Sequence, residues 1–184
     1  MEKNEFIRKY QLSDTVPVDP TLKTIPAEAF VSALKEFIYE RFRGIARVNF
    51  DNVSCESVLI SAEYAAYFFR TLLTYVYGRV FIDIKVSSDS QYLTMIIDSD
   101  EELPITDSEL RFLVKTARNA GMEFYLQDNK IKLKLAFSKA AIYRIYAVSV
   151  SDGKRVMLNK LCEIFYCGSP CTVNTVELKN KNSL

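Results

Sequence analysis

The sequence predicts an α/β domain: a two-layer sandwich with helices packed on one face of a mixed, largely antiparallel sheet. Three observations carry this reading. Segments beginning near Pro26, Ser61 and Thr106 each place an apolar stripe at spacings of three and four. Segments 79–98 and 122–137 alternate apolar and polar residues around a short polar turn, the mark of a hairpin and so of antiparallel pairing. A helix with one stripe and a strand with one apolar face each need a covering layer, and stacking one on the other satisfies both.

Taken in order, residues 1–24 are polar, carry Pro17 and Pro20, and read as an arm or linker with room for a short strand. "IPAEAFVSALKEFIYERFRG" is the first helix. Pro26 lies near its first turn, where a missing N–H costs nothing, and Glu28 suits the positive end of the helix dipole. Phe30, Leu34, Phe37, Ile38 and Phe42 make its inner face, and Gly44 ends it. "IARVNFDNV" and "ESVLI" read as short strands joined by a polar turn at Asp51–Asn52. "SAEYAAYFFRTLLTYVYG" is the second helix, capped by Ser61 and closed by Gly78. Its stripe of Ala65, Phe68, Phe69, Leu72, Leu73 and Val76 is broad enough to pack on a sheet. Some of Tyr64, Tyr67, Tyr75 and Tyr77 are then expected on its outer side, either as an exposed interface or as the rim of a large core.

In the first hairpin Val80, Ile82, Ile84 and Val86 alternate, Ser87 to Ser90 turn the chain, and Leu93, Met95 and Ile97 resume. Thr106 and Glu109 fit a capping box for the third helix, with Leu110, Leu113, Val114 and Ala117 inward and Gly121 as its stop. The second hairpin turns near Asp128–Asn129, with Ile131, Leu133, Leu135 and Phe137 on one side and Lys130, Lys132 and Lys134 on the other. "AIYRIYAVSV" reads as a further strand and 154–166 as a fourth helix. The organisation is an arm at 1–24, the main domain at 25–138, a strand-helix extension of the same domain at 139–167, and a tail at 168–184.

Composition narrows the chemistry. With 24 basic and 23 acidic side chains, net charge is +1, so no global field favours nucleic acid or an anionic membrane. The most apolar run, Ala62 to Val76, contains Glu63 and Arg70 and is too short to span a bilayer. The N-terminus is charged from residue 2, unlike a secretory signal, and the expected location is cytoplasmic. Free thiols are then the default for Cys55, Cys162, Cys167 and Cys171, and the last three do not match a zinc-knuckle spacing. The chain has no histidine, which excludes Ser-His and Cys-His catalysis, imidazole metal ligation and phosphorylation on histidine within the chain.

From Pro26 to Phe137 the order of elements and the hydrophobic frame resemble the ATP-binding domain of histidine kinases, within the GHKL group of ATPases. "LISAEYAAYFFRTLLTYVYG" stands at that family's "D-x-x-x-L-x-x-V-L-x-N-L-L-x-N-A" helix, and "FIDIKVSSDSQYLTMIID" at the hairpin that ends in "D-x-G-x-G". "LRFLVKTARNAGMEFYLQDNKIKLKLAFS" stands at the last helix and hairpin. The resemblance implies a histidine-kinase ATPase-like fold. It implies an adenine contact at Asp98, and it sets Tyr75 at the position of the family's Mg²⁺-binding asparagine.

The functional boxes depart from the family. A phenol replaces the amide oxygen that Mg²⁺ prefers. Asp100 and Glu102 stand where the family's two glycines let backbone approach the nucleotide. Only Ser99 to Ile105 separate Asp98 from the third helix, too few for a glycine-containing lid, and "ITDSELRF" offers no glycine-rich phosphate cradle. The expectation is therefore a degenerate domain, leaning away from catalysis, with no cofactor and ATP/Mg²⁺ as the open alternative. As a module it would act in signalling through protein contacts, with a response-regulator-type partner or a second copy as candidates. The alternative is an ATP-binding kinase of the same group, of histidine-kinase or anti-sigma-factor type. The acidic run Asp98, Asp100, Glu101 and Glu102 is read as a solvated loop, with cation binding the other reading.

Overall fold

The structure of the protein is a computed structural model that describes residue 17, residues 20–50, 53, 56–138, 161 and 164–165. The expected strand after Phe137, most of helix 154–166, the tail, most of the arm, the Asp51–Asn52 turn and all four cysteines lie outside the described residues.

Among the described residues seven strands form one sheet: β1 (Lys23–Pro26), β2 (Ala46–Phe50), β3 (Ser57–Ile60), β4 (Ile82–Ser88), β5 (Tyr92–Ser99), β6 (Glu123–Gln127) and β7 (Lys130–Ser138). Three helices with described bounds accompany them, α1 (Ala27–Arg41), α2 (Ala62–Val76) and α3 (Asp107–Asn119), and the described residues 161, 164 and 165 are helical too, inside the expected fourth helix. The strand order is β1-β3-β7-β5-β4-β2, and β6 also pairs with β7. Only β2–β4 is parallel among the described pairings. The two-layer α/β architecture with a mixed sheet is thus as expected.

Both short strands expected between the first two helices are present, as β2 and β3. Consecutive in sequence, they do not pair: β2 lies at one margin beside β4, and β3 lies toward the other, between β1 and β7. β1 also begins at Lys23, so the chain enters the sheet inside the expected arm and passes directly into α1. Pro26 is the cap residue of α1 and offers no side-chain acceptor; the Ala27 N–H instead donates to the Glu56 carbonyl at 2.8 Å.

The hairpins keep their predicted faces. Ile82, Ile84 and Val86 of β4, Leu93, Met95 and Ile97 of β5, and Ile131, Leu133 and Leu135 of β7 are buried on the helix side. The first turn is later than expected. Ser87 and Ser88 belong to β4, and Asp89 closes the loop by accepting from the Gln91 and Tyr92 amides, each at 2.7 Å. The second hairpin turns at Asp128 (φ 48°) and Asn129 (φ 62°), the doubly left-handed turn that matches strand twist.

Helix α2 leaves no residue exposed. Tyr64 and Tyr67 are buried, and Phe68 and Phe69 are fully so. The cause is a covering layer beyond the sheet. The Tyr64 hydroxyl donates to the Pro17 carbonyl at 2.7 Å, and Tyr67 meets Phe112 of α3 edge-on at 6.0 Å. Arg70 donates to the Ile164 and Phe165 carbonyls at 3.0 and 3.2 Å. Phe165 and Leu161 are buried, with the Phe165 ring 5.4 Å from Phe37 and 6.0 Å from Phe30. A helix apolar on most sides is a core helix, and this composition was visible. On α3 the buried face is Leu113, Thr116 and Ala117, while Leu110 and Val114 are half-buried, turned one position outward from expectation. Gly121 (φ +81°) then turns the chain tightly beside Leu59 and Leu22.

Candidate functional site

The site suggested by the sequence is the corner where β5 gives way to α3. Asp98 is next to Ile97 in a strand, so the two side chains leave opposite faces. Ile97 is buried under the helices, and Asp98 stands on the open face. There its Oδ2 accepts from Lys130 Nζ at 2.9 Å and lies 3.7 Å from Lys85 Nζ.

Asp98 sits directly opposite Asp83 of β4, which is itself in register with Arg47 of β2. Two like charges face to face repel. Cations flank them on either side. Arg47 holds Asp83 through Nε and through Nη2 to Oδ2 at 2.6 Å, and Asn49 adds an amide at 3.1 Å. The outcome is a row across four strands, Arg47, Asp83, Asp98, Lys130, in the sign order plus, minus, minus, plus. The Lys130 hydrogen bond holds the Asp98 carboxyl below the usual carboxylate range, and the Arg47 hydrogen bond does the same for Asp83.

Past Asp98 the chain closes on itself. The Ser99 hydroxyl donates to the Glu101 carbonyl and accepts from the Glu101 N–H at 3.2 Å. Leu103 is buried, and Arg79 donates to the Pro104 carbonyl at 3.1 Å, tying the segment to the loop after α2. Thr106 and Glu109 then form the predicted capping box: the Thr106 N–H donates to Glu109 Oε2 at 2.9 Å, and the Glu109 N–H donates to Thr106 Oγ1 at 3.4 Å. Part of what the start of α3 could offer an anion is already used by its own side chains.

Tyr75 is half-buried on α2. Burial first, then the Glu109 carboxylate and Tyr67, push its phenol up from the ordinary value, so it is neutral at pH 7. Asp98 and Tyr75 therefore belong to different sides of the sheet. The exposed groups at the corner are Asp100, Glu101 and Glu102. At an effective dielectric near 20, one carboxylate 4 Å from a phosphate oxygen costs about 4 kcal/mol. Among the described residues no three Cys, Asp or Glu side chains converge as a metal would require.

Asp98 has partners that local sequence patterns do not announce: Lys130, Lys85 and the Arg47–Asp83 pair. Strand parity alone carries a signal: Lys130 precedes Ile131 as Asp98 follows Ile97, so both had to leave the face opposite the core.

No family model matches the chain. Neither does any curated protein. Solved structures similar to it include the cytoplasmic segment of histidine kinase QseC, at 13% identity and a TM-score of 0.40, covering 73% of this chain and 89% of that one. The catalytic domain of histidine kinase ThkA in a nucleotide-free form is similar at 10% identity and a TM-score of 0.45, covering 64% and 97%. Histidine kinase AdeS of Acinetobacter baumannii is similar at 11% identity and a TM-score of 0.44, covering 73% and 76%.

Proposed function

We propose that the chain is a non-catalytic, ATPase-like module of the GHKL type that acts in signalling by protein contact. One observation carries the reading: the Asp98 carboxylate is held by Lys130 and Lys85 on the open face of the sheet, away from the helices. A carboxylate already engaged by two ammonium groups is a poorer acceptor for an adenine amino group. The residues around the corner do not fit a magnesium-bound triphosphate either. Asp100, Glu101 and Glu102 repel phosphate, and Tyr75 beside Glu109 offers no hard oxygen on a short arm. A protein-contact role is consistent with a domain that keeps its core while its nucleotide boxes are replaced. These 184 residues contain no histidine, so any phosphoacceptor histidine lies outside them.

Calorimetric titration with ATP and Mg²⁺ tests this. The expected result is no saturable heat at millimolar nucleotide. Micromolar binding that disappears in Asp98→Asn would instead establish the alternative, an ATP-binding kinase of the same group.

A further inference from the structure

We infer that the outer edge of β2 receives an extended, acidic segment of a partner protein as an added strand. This rests on the reading of the chain as a protein-contact module and names its surface.

Among the described residues β2 has a ladder only with β4, so its far edge carries unpaired backbone groups. The Ile45 carbonyl accepts from the Ile82 N–H at 2.9 Å, which sets the alternation of the parallel ladder. Arg47 and Asn49 then bond toward β4, while Val48 presents its N–H and C=O, and Phe50 its N–H, to the outer edge. The Ala46 N–H is already used by the Phe42 carbonyl at 2.9 Å. A free edge of this kind is a template for another strand.

A groove of about 380 Å³ runs beside that edge, lined by Ser32, Lys35 and Tyr39 of α1 and by Ala46, Arg47 and Val48 of β2. Neighbouring strand residues leave opposite faces, so Arg47 and Val48 can line one groove only where it wraps the strand edge. Its floor is apolar: Ile38, Ala46 and Val48 are buried there. Its rim is aromatic and basic. Tyr39 is 62% exposed, with the Arg43 guanidinium 5.2 Å from its ring centroid, and Lys35 Nζ stands 4.8 Å from that of Phe50. Among the described residues Lys35 and Arg43 have no carboxylate partner, and Glu36 is the single carboxylate that lines the groove. Unpaired backbone groups select an extended chain, the floor takes an apolar side chain, and the two rim cations select carboxylates.

The test uses the full chain and a short capped peptide alternating Val and Glu, with a Val–Lys peptide as control. Binding is read by fluorescence anisotropy, and backbone pairing by amide exchange. Saturable binding of the Val–Glu peptide at low salt is expected, slowing exchange at Val48 and Phe50 about tenfold or more. Lys35→Glu with Arg43→Glu should weaken binding about tenfold or more without changing the melting temperature, and the Gln pair by less. Four results would each overturn the inference: no saturable binding, equal binding of the Val–Lys peptide, no response to either pair of substitutions, or a β2 edge already protected in a dimer of the free chain. ATP binding is measured separately. Micromolar ATP affinity would sink the contact-module reading and leave the peptide result to be judged alone, whereas peptide failure without ATP binding would sink only this surface.

Discussion

Replacing Phe165 by Ala probes how far the folded unit extends beyond β7. The side chain is fully buried, 5.4 Å from Phe37 and 6.0 Å from Phe30 between ring centroids. Truncating such a residue removes its transfer energy and leaves a cavity, together costing about 3–5 kcal/mol. Each kcal/mol lowers the midpoint by about 2–4 °C for a chain of this size, so the expected fall is roughly 6–20 °C. Urea unfolding followed by circular dichroism should show a lower midpoint at an unchanged slope, because compactness is kept. Ending the chain at residue 138 should cost at least as much, since it also removes the carbonyl acceptors of Arg70. A loss below about 1 kcal/mol in Phe165→Ala would mean that Phe165 is not a core ring, because a change of that size is what an average substitution costs.

Further perturbations address the other elements. Lys130→Met should raise the Asp98 pKa toward about 3.9, the free-aspartate value, measurable by carbon-detected NMR titration. Both Asp83 and Asp98 have folded-state pKa values below the unfolded one. Their stabilising contribution is therefore full above about pH 5 and is lost as pH falls through the folded-state values; a melting temperature flat from neutral pH into that acid range would contradict it. Thr106→Ala should cost about 0.5–2 kcal/mol by loss of the capping box, read from chemical denaturation. Gly121→Ala should destabilise by about 1 kcal/mol or more: φ is +81°, and the new Cβ would lie 3.1 Å from the Leu59 carbonyl oxygen and 3.0 Å from Leu22 Cδ2.

Much of the architecture was legible because it rests on local periodicity. The alternation in β4, β5 and β7 and the Thr106–Glu109 box each act over a few residues, and the structure keeps all of them. What escaped depends on distant parts of the chain. That β2 and β3 part to opposite sides of the sheet follows from their later partners β4 and β7, which no local pattern announces. Some aromatics of α2 are expected outward by sequence, and Pro17, Phe112 and Phe165 cover that side from three places in the chain. For Asp98 the information was present in its parity with Ile97. The pleat of the strand puts it on the open face beside Lys130.

A nitrogen–proton correlation spectrum recorded through a titration with Mg²⁺ and a nonhydrolysable ATP analogue tests the closed corner most directly. The amides of Tyr75, Asp98, Ser99 and Glu101 are expected to keep their positions up to millimolar ligand. Saturable shifts clustered at those four amides, with a midpoint in the micromolar range, would contradict this.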